Sequence, residues 1–103
     1  SQGGAVGYQT ALTYPEPLAG LMAMSTYFAT SESIVPSPEN RTLPIQIYHG
    51  TMDPVVPEPL GQIAYRALKE KGYSVNYQTY PMQHSVCADE VMDISRWLKK
   101  ILL

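Results

Sequence analysis

The stretch PIQIYHGTMDPVVP, residues 44–57, decides the predicted fold of this chain. It begins with a short run of β-branched and aromatic residues, which is typical of a buried strand. The HGTMDP segment that follows contains Gly, Asp and Pro, so it predicts a loop at the carboxyl end of that strand. Residues 57–71 then carry an apolar stripe at helical spacing. The stretch therefore predicts a strand, a loop and a helix in that order.

The same alternation continues on both sides of this unit. Strands are predicted at residues 18–24 and 75–80, and helices at residues 2–12 and 88–102. Strands that alternate with helices of this length predict a parallel sheet with right-handed crossovers. The predicted fold class is α/β, with about three parallel strands and flanking helices in one domain, residues 1–103.

Two further segments bear on the completeness of the sheet. Residues 26–42 contain two prolines and many Ser, Thr and Glu residues, so they predict a surface excursion. The strand at residues 18–24 is too apolar for an exposed sheet edge. We therefore expect a further element, which these residues do not supply, to lie beside this strand.

The composition excludes several classes of protein. Hydrophobic residues make up 45% and charged residues 16%, which is typical of a globular domain. The net charge of −2 gives no basic surface for nucleic acid. No apolar stretch reaches the roughly eighteen residues of a membrane span. Since the single cysteine, Cys87, cannot form an internal disulfide, nothing indicates an oxidising compartment and we expect a cytoplasmic protein.

Three polar residues occupy positions typical of a hydrolytic site. Asp53 and His84 each follow a predicted strand, where open α/β sheets collect reactive groups, and Ser1 precedes the first helix. The order Ser, Asp, His along the chain is that of α/β-hydrolases. A serine nucleophile needs an imidazole to take its proton, and the imidazole needs a carboxylate to orient it. The pattern predicts the triad Ser1, Asp53 and His84.

The residues after Ser1 fit a tight turn from a strand into a helix. Gly3 permits a close approach of the backbone, and the backbone N–H of Gln2 is predicted to donate to the oxyanion. Only the second part of the usual Gly-x-Ser-x-Gly elbow is present.

Three sequence blocks occur in order: SQGGA at residues 1–5, HGTMDPVVP at residues 49–57 and YPMQH at residues 80–84. Together they resemble the carboxylesterase/phospholipase family of α/β-hydrolases, which includes acyl-protein thioesterases. The resemblance covers essentially the whole chain but only the C-terminal half of such an enzyme, so it implies a missing N-terminal half that completes the sheet. It implies the same triad, an acyl-enzyme intermediate, and neither a cofactor nor a metal.

The resemblance implies a serine carboxylesterase that acts on a small acyl ester or thioester. Acyl-protein thioesterase and lysophospholipase activity are alternatives within the family, and the isolated half-domain would be inactive. The sequence leaves open whether the protein is a homodimer. A different class, the N-terminal-nucleophile hydrolases, would use the amine of Ser1 as the base, but it would need neither Asp53 nor His84.

Four other residues receive provisional roles. The family usually has glycine before the histidine, where this chain has Gln83, so we expect Gln83 to affect substrate size. Tyr27 and Phe28 are predicted to line an acyl pocket, with simple packing under the long loop as an equal alternative. His49 is interpreted as structural, because it adjoins the end of a strand. Asp53 has a second interpretation, the capping of the turn before Pro54.

Overall fold

The computed structural model describes residues 1–103 and alternates helices with parallel strands. The strands are β1 (Leu21–Met24), β2 (Ile45–Gly50) and β3 (Val75–Tyr80). The helices are α1 (Gln2–Thr13), α2 (Glu58–Glu70) and α3 (Ala88–Leu102), and a short 3₁₀ helix spans Pro38–Asn40. The sheet order is β1-β2-β3 and both pairings are parallel. The predicted α/β class is confirmed.

The central strand β2 is buried along its whole length, from Ile45 to Gly50. It pairs with β1 through Ile45 and Leu21 and with β3 through Ile45 and Val75. Because β2 has a neighbouring strand on each side and helices on both faces of the sheet, even its polar residues Gln46 and His49 are buried. Because all three strands run the same way, the loops that follow them meet at one edge of the sheet.

The two faces of the sheet carry separate apolar clusters. The larger cluster joins the sheet to α1 and α2, and its buried members are Tyr8, Ala11, Leu12, Ala23, Phe28, Leu43, Ile45, Ile47, Ala64, Leu68, Tyr73 and Val75. The smaller cluster, on the face covered by α3, contains Tyr48, Tyr80 and Met82. Strand residues alternate between these two clusters, as the pleat of a sheet requires.

Helix α3 is covered only in part within this chain. Its apolar residues Val91 and Leu98 are 53% and 37% exposed, whereas the carboxylic acid Glu90 is fully buried. None of the three helices combines the length with the apolar character needed to cross a membrane.

The segment between β1 and β2 is more firmly anchored than a surface excursion. Asn40 is 1% exposed. Its amide donates to the carbonyls of Tyr14 and Glu16 at 3.0 and 2.9 Å, and its Oδ1 accepts the N–H of Leu18 at 2.8 Å. Because Leu18 is bound to this side chain rather than to β2, the strand predicted at residues 18–24 begins only at Leu21.

Candidate active site

Asp53 lies in the turn that follows β2, and its side chain is fully buried. Its Oδ1 accepts hydrogen bonds from the backbone N–H groups of Val55 and Val56, each at 2.8 Å. Asp commonly closes a turn in this way, since its short side chain reaches backbone donors two and three residues ahead. One carboxylate oxygen therefore fixes the turn, and the other remains available.

The hydrogen bonds around Asp53 favour its ionised form. Burial acts to raise its pKa, but the bonds from His84, Val56 and Val55 act in the opposite direction and prevail. The pKa of the carboxyl group therefore lies below its ordinary value, and Asp53 is an anion at neutral pH.

The second carboxylate oxygen, Oδ2, lies 2.7 Å from Nδ1 of His84. An ionised carboxylate can only accept a hydrogen bond, so Nδ1 of His84 carries the hydrogen. The neutral ring then has a lone pair on Nε2, the nitrogen that a general base uses. The His84 side chain is 28% exposed, so Asp53 fixes one side of the ring and the other side remains accessible.

The loops that carry Asp53 and His84 are joined backbone to backbone. The N–H of Thr51 donates to the Tyr80 carbonyl at 2.9 Å, and the N–H of Met52 donates to the Met82 carbonyl at 3.1 Å. A Cβ atom at position 50 would lie 2.9 Å from the carbonyl carbon of Met82. Glycine is therefore required at Gly50 for the two loops to approach each other.

Ser1 and His84 line the same cleft, which has a volume of about 190 Å³. The other residues around it are Met24, Ser25, Ser85 and Val86. Ser1 is exposed and immediately precedes α1, and Gln2 is the first residue of that helix. The N–H groups of a first helical turn have no acceptor within the helix, so the N–H of Gln2 is available as a donor at this end. The structure thus brings Ser1, Gln2 and His84 to one edge of the sheet, with Asp53 behind His84.

Two residues of this site escaped the sequence analysis. Ser25 follows β1 with a φ of 51°, in the left-handed region that residues other than glycine rarely adopt, and its N–H donates to Tyr48 O at 2.9 Å. Beyond this bend the hydroxyl of Thr26, which is 1% exposed, donates to the carbonyl of Ser1. The only sequence signal for either residue is its position at the carboxyl end of a strand.

The residues predicted to contact substrate lie in three different surroundings. Phe28 is 7% exposed and stacks on Tyr8 in the core, with ring centroids 4.8 Å apart. Tyr27 lines a separate groove of about 340 Å³ beside α1, together with Ala5 and Val6. Gln83 is exposed beside the histidine and is not among the residues that line the cleft of Ser1 and His84.

Other ionisable side chains do not extend the site into a metal centre. No group of three or more His, Cys, Asp or Glu side chains is arranged to hold a metal ion. His49 is fully buried, with its Nε2 3.8 Å from Oδ2 of Asp53. On the other face of the sheet, burial raises the pKa of Glu90 above its ordinary value.

The fold and the arrangement of these loops define an α/β-hydrolase. SOBER1 of Arabidopsis thaliana superposes with a TM-score of 0.88 at 32% identity, over 100% of this chain and 50% of that structure. Acyl-protein thioesterase 2 of Zea mays superposes with a TM-score of 0.89 at 27% identity, over 100% of this chain and 54% of that structure. This chain therefore spans about half the length of each of these two structures.

The family is narrower than the fold class. The sequence model of the phospholipase/carboxylesterase family matches residues 1–102, and the chain belongs to this family. Acyl-protein thioesterase 1 of Neurospora crassa is 44% identical over 99% of this chain, and that of Mycosarcoma maydis is 38% identical over the same share. This chain covers 44% and 45% of those two proteins, so it spans somewhat less than half their length.

Proposed function

We propose that this chain supplies the nucleophile, the general base and the orienting carboxylate of a serine carboxylesterase. Ser1 is the nucleophile, His84 is the base, and Asp53 orients the imidazole. The observation that carries the proposal is the 2.7 Å hydrogen bond between Asp53 and His84, with His84 lining the same cleft as Ser1. The family of the chain, phospholipase/carboxylesterase, supports the same chemistry.

In the first half-reaction the Ser1 hydroxyl attacks the carbonyl carbon of an acyl ester. The hydroxyl proton passes to Nε2 of His84, and the resulting imidazolium is stabilised by the carboxylate of Asp53. The N–H of Gln2 donates to the oxyanion of the tetrahedral intermediate. When the intermediate collapses, the bond to the leaving group breaks, and His84 returns the proton to the departing alcohol or thiol.

In the second half-reaction a water molecule attacks the acyl-Ser1 ester. His84 takes one proton from the water and then gives it to the Ser1 oxygen as the carboxylic acid is released. The cycle needs only water as co-reactant, and it needs neither a metal nor an organic cofactor.

The substrate class follows from the relatives and from the shared mechanism. Esters and thioesters differ in the leaving group, and the acyl-enzyme is the same for both. The relatives named acyl-protein thioesterase 1 favour a thioester of an acyl chain as the second candidate, and a lysophospholipid ester is a third member of the same class.

The activity belongs to the intact protein, in which we propose that a further strand, from the other half of the fold, pairs with the free edge of β1. We also propose a cytoplasmic location.

A fluorophosphonate probe tests the nucleophile directly, since it reacts with an activated serine. We expect stoichiometric labelling of the intact protein, loss of labelling in Ser1→Ala and full labelling in Ser85→Ala. Ser85 is the matched control because it is an exposed serine that lines the same cleft. Labelling that persists in a folded Ser1→Ala variant would refute the assignment.

The leaving group is tested by matched substrates. Hydrolysis rates of p-nitrophenyl octanoate and of an octanoyl thioester, measured on one preparation, compare the two classes at constant acyl chain. A carboxylesterase is expected to turn over the oxygen ester with a kcat/KM at least equal to that for the thioester. A kcat/KM at least tenfold higher for the thioester, which corresponds to about 1.4 kcal/mol of transition-state stabilisation, would reassign the protein as a thioesterase.

A further inference from the structure

The fully buried His49 takes no part in the steps above, yet it lies directly behind Asp53. Its Nε2 is 3.8 Å from Oδ2 of Asp53, which is longer than a hydrogen bond. The same nitrogen lies 2.7 Å from the carbonyl oxygen of Val56. His49 therefore acts on the loop of Asp53 and not on the carboxylate itself.

The contact with Val56 fixes the tautomer of His49. A carbonyl oxygen can only accept, so Nε2 of His49 carries the hydrogen and donates it. Val56 is 3% exposed, and its own N–H donates to Oδ1 of Asp53 at 2.8 Å. Val56 thus links the two side chains: its carbonyl accepts the hydrogen bond from His49, and its N–H donates to Asp53.

We propose that His49 is a positioning residue for the Asp53–His84 pair, an inference that rests on the proposed function. Its hydrogen bond fixes Val56, the Val56 N–H fixes Oδ1 of Asp53, and this leaves Oδ2 aimed at Nδ1 of His84. If the bond from His49 is lost, the turn after β2 relaxes and Asp53 no longer orients the imidazole.

A second position allows His49 to be displaced without changing its chemistry. Gly61 of α2 packs against the imidazole, and a Cβ atom there would lie 2.7 Å from Nδ1 of His49 and 3.2 Å from the hydroxyl oxygen of Tyr77. Both distances are too short for unstrained contact, so Gly61→Ala pushes either the helix or the ring away. The absence of a side chain at Gly61 is therefore part of the same arrangement.

Four variants of the intact protein test the proposal. His49→Gln keeps an N–H donor at about the reach of Nε2, whereas His49→Leu keeps the bulk and removes the donor. Gly61→Ala displaces the ring. Leu68→Ala, on the same helix and equally buried in the core, is the matched control for general loss of stability. The readouts are kcat and KM for p-nitrophenyl butyrate, and the downfield NMR resonance of the His84 Nδ1 proton.

We expect His49→Leu and Gly61→Ala to lose kcat by about 10²-fold at nearly constant KM, since small misplacements of catalytic groups have effects of that order. The downfield resonance should weaken or move in both variants. His49→Gln and Leu68→Ala should keep the resonance and a kcat within about tenfold of the parent, the effect of at most one altered hydrogen bond.

Two results would overturn the proposal: an unchanged resonance and kcat in His49→Leu, or equal losses in Leu68→Ala. The NMR readout separates this inference from the proposed function. A parent protein that hydrolyses no ester but shows the expected pattern of resonances would refute the esterase and leave the positioning role of His49 intact.

Discussion

The substitution Asp53→Asn tests the orientation of the imidazole most sharply, because the structure dictates how the new amide must lie. The Oδ1 of Asp53 accepts two backbone N–H groups, from Val55 and Val56. Only an oxygen can accept them, so the amide oxygen of the variant must occupy the Oδ1 position. The NH₂ group then occupies the Oδ2 position, which in the parent lies 2.7 Å from Nδ1 of His84.

The amide in that position reverses the tautomer of the histidine. An NH₂ group donates, so Nδ1 of His84 has to accept and the ring hydrogen moves to Nε2, the nitrogen that faces the cleft. In the proposed mechanism the ring can then no longer take a proton from Ser1. The opposite rotamer of the amide would leave both N–H groups unpaired, and the buried one of Val56 alone costs about 1–3 kcal/mol, so this rotamer is populated only slightly.

The expected magnitude is a loss of kcat of about 10⁴-fold, the effect that a reversed tautomer has on a triad. This corresponds to about 5.5 kcal/mol of transition-state stabilisation. The assay is the hydrolysis of p-nitrophenyl butyrate by the intact protein, with the tautomer of His84 read from the ¹⁵N shifts of its imidazole. Asp89→Asn, at an exposed position in the first turn of α3, is the matched control and should keep full activity.

An Asp53→Asn protein that is folded and retains more than about one tenth of the parent kcat would refute the reasoning, since one tenth corresponds to only 1.4 kcal/mol. So would a His84 ring that still carries its hydrogen on Nδ1. In either case the 2.7 Å bond would be structural, and Asp53 would serve only to close its turn.

The remaining predictions concern stability and support of the site. Because the pKa of Asp53 is lowered, its ionised form contributes stability above an unfolded pKa of about 3.9, and this contribution is lost as the pH falls through the lower folded value. Urea unfolding should therefore show the stability difference between parent and Asp53→Asn narrowing below about pH 4, and a constant difference would contradict the shift. Phe28→Ala should cost about 3–5 kcal/mol of unfolding free energy, as for a core aromatic, whereas a changed KM at unchanged stability would return Phe28 to the substrate pocket. Thr26→Val should slow fluorophosphonate labelling of Ser1 by about fivefold, the effect of one lost hydrogen bond, and a rate equal to the parent would show that Thr26 does not support the nucleophile. Because burial raises the pKa of Glu90, the contribution of this group to the unfolding free energy of the parent should fall as the pH rises from about 4.5. Glu90→Gln should be more stable than the parent at pH 7, and the difference between the two proteins should disappear in acid. A variant less stable than the parent at pH 7 would show that the charged form is favoured.

Local patterns predicted the sheet well where strands and helices are bounded by turn residues. The bounds predicted for the third strand, residues 75–80, agree with β3, and the helix predicted at residues 57–71 differs from α2 by one residue at each end. The first strand is shorter than predicted, because its apolar beginning is held by Asn40, more than twenty residues away in the chain. No periodicity in the sequence reports a contact of that range.

The residue types of the candidate site were predictable, but the contacts that hold these residues in place were not. Gly-x-x-Asp and the histidine after a strand indicate chemistry through their residue types, and the chain brings Asp53 and His84 into contact. The bend at Ser25 and the bond from Thr26 to Ser1 arise where separate loops meet, so they have no local signature. His49 was interpreted as structural, and its burial agrees with that reading, but its bond to Val56 became visible only in the structure.

The backbone contact between the two loops, with Gly50 at its centre, limits how this site can vary. The turn after β2 and the turn after β3 share hydrogen bonds from Thr51 and Met52, so an inserted residue in either turn would break bonds in both. The segment between β1 and β2 borders the cleft at Ser25 and lies outside this contact, so a change of its length away from the anchor at Asn40 leaves both turns intact. Relatives with different substrates should differ in length there, while the turns of Asp53 and His84 keep the same number of residues.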